Sequence, residues 1–191
     1  MIPKFKRNFI NSTTLDFKEF YFLRHGQAGS NQETSRLTQL GNEQARKVEN
    51  LITAHKFTSV ACSPLTRAME TKNIVLVENP YNLFISAGFK ENEPAARLLL
   101  EPKDNPSEDE ENLVKNFINT VKTSTEVALQ MLSPILIIAH LGTFLALKKI
   151  YQIKDDNMLD NCQLVRFSSN KEDIWEIAYN VEKPTHNFNL L

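Results

Sequence analysis

Short apolar runs alternate with amphipathic stretches along most of the chain, and this alternation constrains the fold more than any other feature. EFYFL (residues 19–23) is short, aromatic-rich and ended by Arg24-His25-Gly26, which is the pattern of a buried strand. A helix is predicted from about Thr38, whose hydroxyl suits an N-cap, with Ala45, Val48 and Ile52 on one apolar stripe. TSVAC (58–62) reads as a second strand. Ser63-Pro64 reads as the start of another helix, serine accepting from a free N–H and proline losing nothing at the first position. NLFIS (82–86) is a short strand candidate. A long helix is expected from Ser107, where Glu110 completes a capping box and Glu108, Asp109 and Glu111 set negative charge at the positive end. Its apolar stripe runs through Leu113, Phe117 and Val121. ILIIA (135–139) is the most hydrophobic strand and so the expected centre of a sheet, with a helix over 143–151 after it. Strands over 163–167 and 174–179, joined by the turn-like SSNKED, close the chain as a hairpin.

This order predicts an α/β protein, a three-layer α/β/α sandwich whose mostly parallel sheet carries an antiparallel edge. A chain of 191 residues suits one domain, with residues 1–17 as a loosely ordered lead-in. Lys+Arg number 22 and Asp+Glu 23, and this balance argues against a nucleic-acid or anionic-membrane partner. Cys62 and Cys162, the only cysteines, exclude a disulfide scaffold, fit a reducing compartment and are expected as core residues. No run approaches the roughly 18 apolar residues of a membrane span, and the N-terminus lacks the apolar core of a signal peptide. The expectation is a cytoplasmic domain.

The carboxyl ends of parallel strands share one edge, where such sheets bind ligands. Arg24-His25-Gly26, Cys62-Ser63-Pro64 and His140-Leu141-Gly142 all fall there, so two of the four histidines converge on one rim. Arg24 and Arg67 can each grip an anion through paired N–H donors, and helix N-termini beside them add free amides. A histidine among these cations is expected to stay neutral, because positive charge lowers its pKa. A neutral imidazole is a competent nucleophile, so phosphoryl transfer to histidine fits the residues. Flanking arginines would repel a divalent cation, so a metal site on His25 and His140 is not expected.

YFLRHGQAGSN resembles the nucleophile motif of the histidine phosphatase superfamily, which includes the phosphoglycerate mutases. LTQLGNEQA, SPLTRAMET and AHLGT resemble its later signatures, in order, so the resemblance covers roughly residues 19–150. It implies a phosphoglycerate mutase-like fold and a cofactor- and metal-independent phosphomonoesterase acting on a small phosphorylated substrate. His25 would be the phosphorylated nucleophile, with Arg24, Arg67 and His140 clamping the phosphoryl oxygens. Asn31 falls where the family has a polar phosphate contact, and the Leu141 N–H would add a donor. The family also uses a carboxylic acid to protonate the leaving oxygen, because an alkoxide leaves poorly unaided. Glu91, Glu93 and Glu101 compete for that role; Glu91, just after the short strand, is preferred. Arginines nearby favour its ionised form, so acting as an acid requires opposing desolvation or hydrogen bonding.

The sequence departs from the family at Ala28, where Thr or Ser is usual, and at Leu141, where Gly is usual. The Gly-rich, Trp-containing segment that often follows the acid is replaced by Glu93-Pro94-Ala95-Ala96. Three alternatives stay open: a mutase, a phosphohistidine-protein phosphatase, and a noncatalytic phospho-ligand binding module whose signature would be a lost acid. His55 and His186 are expected on the surface; Phe84, Phe89, Leu98, Leu99 and Leu100 could line a pocket or fill core, with core preferred.

Overall fold

The computed structural model describes residues 18–30, 33–77 and 80–182. The expected lead-in, Asn31 and His186 lie outside the described residues. In chain order the elements are β1 (Glu19–Arg24), α1 (Gln39–His55), β2 (Ser59–Cys62), α2 (Thr66–Val75), β3 (Asn82–Ile85), a 3₁₀ turn (Ala87–Phe89), α3 (Glu93–Leu100), α4 (Glu108–Ala128), β4 (Ile135–Ala139), α5 (Leu141–Ile150), β5 (Leu164–Ser169) and β6 (Trp175–Ala178). They build one six-stranded sheet in the order β3-β2-β4-β1-β5-β6. The first four strands of that order are parallel, and β5 and β6 add the antiparallel edge. The α/β sandwich expected from the alternation is the observed fold.

The period of two in a strand sends neighbouring side chains to opposite faces. In β1, Phe20 and Phe22 pack with Phe144, Val121 and Leu99 of α5, α4 and α3. Tyr21 and Leu23 pack with Ala45 and Ile52 of α1 and Ala68 and Val75 of α2. β4 divides in the same way, Ile135 and Ile137 joining the first core and Leu136 and Ile138 the second. Helices on both faces thus explain why all five residues of ILIIA are buried. Each such side chain contributes about 1.5–3 kcal/mol by burial.

Caps set most helix starts. Thr38 Oγ1 accepts from the Gly41 N–H at 3.0 Å. At α4 the capping box is complete, Ser107 Oγ accepting from the Glu110 N–H and Glu110 from the Ser107 N–H. Three boundaries differ from the sequence reading. α2 starts at Thr66, three residues after the expected cap, while Ser63 Oγ accepts from the Leu65 N–H and also meets a histidine described below. α5 starts at once after β4, with His140 itself at the N-cap. α3 has no counterpart in the sequence reading; it is eight residues long, capped by Asn92, and its Leu98-Leu99-Leu100 run blurs the helical period.

The core expectations hold for Cys62, Cys162, Phe89 and Leu99, all buried. Leu100 is instead 43% exposed. His55 is half-buried, its ring 4.8 Å from that of Tyr21 and 5.5 Å from that of Phe57, because apolar neighbours shelter the imidazole face.

Candidate active site

β2, β4 and β1 are neighbours, so their carboxyl ends lie side by side. The register pairs Arg24 with Ala139 and Cys62 with Ile138. The ladders continue one step further, His25 N–H donating to the Ala139 carbonyl and Ser63 N–H to the Ile138 carbonyl, each at 3.0 Å. His25, Ser63 and His140 therefore emerge together, and the two imidazole centroids are 4.9 Å apart.

The two nitrogens of His25 have different partners. Nδ1 lies 2.6 Å from the Gly26 carbonyl oxygen, which can only accept, so Nδ1 carries the proton. Nε2 then has the lone pair and accepts from the Arg67 Nε–H at 3.2 Å. Burial, aided by Arg67 and Arg24, lowers the His25 pKa to about 3 against the pull of the Gly26 carbonyl. The ring is neutral, as expected, but desolvation rather than the arginines is the leading cause. His140, fully buried, is held well below its ordinary value for the same reason, with the nearby Arg67 and Arg24 charges adding to it. Its Nε2 lies 2.7 Å from Ser63 Oγ, which also accepts from the Leu65 N–H at 3.3 Å.

Arg67 is 1% exposed, the second residue of α2, and aims at His25. Its neighbour Glu70 turns away to Arg36 and to the Leu37 N–H. Arg24 donates from Nη1 to the Leu159 carbonyl at 2.6 Å. Glu91 follows the 3₁₀ turn and reaches the start of α5, where Oε2 accepts from the Gly142 N–H at 3.4 Å, while Oε1 is buried without a partner. Desolvation raises the Glu91 pKa and outweighs the Gly142 N–H, Arg67 and Arg24. Burial is the opposing influence that an acid role requires. The other two glutamates are exposed: Glu93 pairs with Arg97 on α3, and Glu101 lies at the end of that helix.

Glycines make these approaches possible. A methyl group at Gly142 would overlap Glu91 Oε1 and the Ala96 methyl. One at Gly41 would overlap the Gln27 carbonyl, and one at Gly26 the Gly41 carbonyl, so LTQLGNEQA supplies the flat surface on which the His25 loop rests. Two positioning contacts escaped sequence reading. Asn161 Nδ2 donates to the His25 carbonyl at 2.8 Å, and Thr71 Oγ1 accepts from the Gly26 N–H at 3.0 Å. Thr71 lies in SPLTRAMET, one turn beyond Arg67, but nothing local marks Asn161 in the loop before β5. Both thiols are pushed up to about 12 by burial, which makes them poor nucleophiles at neutral pH. Among the described residues no group of three or more His, Cys, Asp and Glu side chains is placed to hold a metal ion. No helix among them is long and apolar enough to cross a membrane.

The parallel-sheet edge thus gathers two guanidiniums, two imidazoles held neutral by burial and a buried carboxyl whose pKa is raised, a set whose chemistry suits an oxyanion and a nitrogen nucleophile. Residues 20–96 match the family model of the histidine phosphatase superfamily (branch 1). The serine/threonine-protein phosphatase Pgam5, mitochondrial, of Caenorhabditis briggsae is 38% identical over 68 residues, 35% of this chain and 24% of that protein. Among solved structures, a phosphoserine phosphatase from Entamoeba histolytica, in complex with 3-phosphoglyceric acid, superposes with a TM-score of 0.65 at 16% identity, over 86% of this chain and 98% of the other. The alpha-ribazole phosphatase of Shigella flexneri gives 0.64 at 20% over 87% and 96%, and a phosphoglycerate mutase from Bacillus anthracis 0.61 at 19% over 86% and 92%. At such identities these three are likenesses of fold. Residues 20–96 are thus similar to the histidine phosphatase superfamily, and the fold is phosphoglycerate mutase-like.

Proposed function

We propose that the protein is a metal-independent phosphomonoesterase working through a phosphohistidine at His25. The observation that carries this reading is the fixed tautomer: Gly26 holds the proton on Nδ1 and leaves the Nε2 lone pair beside Arg67. The phosphoryl group sits among Arg24, Arg67 and His140, with Asn31 and the Leu141 N–H as further contacts. Nε2 attacks phosphorus in line as the P–O ester bond breaks, and the Glu91 carboxyl proton passes to the leaving oxygen. The ring becomes a phosphorylated imidazolium whose Nδ1–H donates to the Gly26 carbonyl. Glu91, now carboxylate, takes a proton from water as the water oxygen attacks phosphorus and the N–P bond breaks. Inorganic phosphate leaves and both groups are restored. Charge neutralisation by the arginines supplies most of the rate, as phosphoryl transfer is chiefly positioning and electrostatics.

A binding module without chemistry would lack the acid, whereas Glu91 here is buried against Gly142 with its pKa raised. The fold is shared with a phosphoglycerate mutase, so fold does not separate hydrolysis from mutase chemistry. The relative named a protein phosphatase matches over 24% of its length, and its substrate class is therefore one arm of a substrate screen. The test is p-nitrophenyl phosphate turnover in EDTA by wild type, His25→Ala and Glu91→Ala. The expected result is turnover by wild type, none by His25→Ala, and a smaller loss in Glu91→Ala because p-nitrophenolate needs little acid help. Turnover indifferent to His25, or lost in EDTA, would contradict the proposal.

A further inference from the structure

A cleft of about 480 Å³ opens from Arg24 and Glu91 along α3 and the first turns of α5. Because it begins at the carboxyl proposed to protonate the leaving oxygen, it is where the alcohol moiety of a substrate lies. Its inner walls are Ala96, Leu100, Leu141 and Leu145. Leu100 is the large apolar side chain that the core left 43% exposed. Its charged rim is Glu93, Arg97 and Glu101. Arg97 is already paired with Glu93 at 3.3 Å, and Glu101 has no ion-pair partner among the described residues. The rim therefore has one carboxylate more than it has cations. Lys149 and Lys154 line the neighbouring hollow, on the far side of the Leu100 and Leu145 wall.

From these walls and this rim, and resting on the phosphomonoesterase reading, we infer that the protein acts on phosphate esters of apolar alcohols and discriminates against alcohols that carry a carboxylate. An alkyl or aryl group buries its surface against the leucines. A carboxylate at the same depth loses water and meets the negative charge of Glu101 and of Glu93, the latter already holding Arg97. Discrimination by one misplaced charge in such a cleft amounts to about tenfold or more.

The test compares kcat/KM for n-butyl phosphate and 3-phosphoglycerate, two esters of primary alcohols with similar leaving-group demands. Wild type is expected to favour butyl phosphate by about tenfold or more. Leu100→Asn, at a position exposed enough to spare the core, should lower kcat/KM for butyl phosphate. The double variant Glu93→Gln, Glu101→Gln should narrow the ratio by raising turnover of 3-phosphoglycerate. Equal or better turnover of 3-phosphoglycerate by wild type, alongside His25-dependent turnover of p-nitrophenyl phosphate, would overturn this inference and leave the phosphomonoesterase reading standing. No turnover of any ester would remove that reading, and this inference with it.

Discussion

At the scale of single residues, the site depends on two ionisable groups moved in opposite directions by one cause. Burial lowers the His25 pKa from 6.5 to about 3 and raises that of Glu91, favouring in each the uncharged form that the proposed chemistry uses. The histidine shift also carries a stability consequence. As pH falls through 6.5 the unfolded chain takes up a proton that native His25 refuses until about 3. The stability held by the neutral ring is therefore complete above pH 6.5 and lost toward pH 3, at up to about 1.4 kcal/mol per pH unit for this group. Urea unfolding between pH 7 and pH 4 should show that fall, with a shallower slope in His25→Gln; equal slopes would contradict it. For Glu91 the sign is reversed in activity: turnover of an alkyl ester declines as pH rises through its raised pKa. Glu91→Gln should lose about 10²–10³-fold in kcat on n-butyl phosphate, less on p-nitrophenyl phosphate, and lose the alkaline limb of the pH profile. Sequence alone identified the rim residues because strand-end motifs mark them, but the sign of the Glu91 shift depends on a buried Oε1 and a Gly142 contact that spacing does not encode.

Elements act here by bringing backbones close. α1 supports the His25 loop through Gly41, and α5 accepts Glu91 through Gly142. Gly142→Ala should push the carboxyl aside and lower kcat on n-butyl phosphate more than on p-nitrophenyl phosphate, with little change in KM. A uniform loss on both esters would mean that the methyl disturbs the phosphate site instead. The cap of α4 is remote from the chemistry, and Ser107→Ala should cost about 1 kcal/mol in urea unfolding with kcat unchanged. Helices with a side-chain cap and a clean stripe, α1 and α4, were legible in the sequence. α2 starts three residues later than Ser63 suggests, and the second partner of Ser63, His140, lies 77 positions away, a long-range hydrogen bond that leaves no local trace. α3 was missed because apolar residues in an unbroken triplet do not declare a period, and with it went the cleft that Leu100 lines.

On the scale of the whole molecule, the sheet order β2-β4-β1 turns three sequence-distant strand ends into one rim, and the two cores on its faces hold that rim in register. The alternation of strands and helices made the sandwich legible, and the strong hydrophobicity of ILIIA placed it centrally. The loop before β5 was not legible as part of the site, although it brings the Leu159 carbonyl to Arg24 and Asn161 to the His25 backbone. In the proposed mechanism His25 Nε2 takes the phosphoryl group. The most direct measurement is an alkaline quench of the enzyme during turnover of p-nitrophenyl phosphate, conditions that preserve phosphohistidine, followed by peptide mass spectrometry. The mechanism predicts an acid-labile phosphoryl group on the peptide carrying His25, formed with a burst of p-nitrophenol and absent from His25→Ala. A phosphoryl group on another residue, or turnover that persists in His25→Ala, would contradict it.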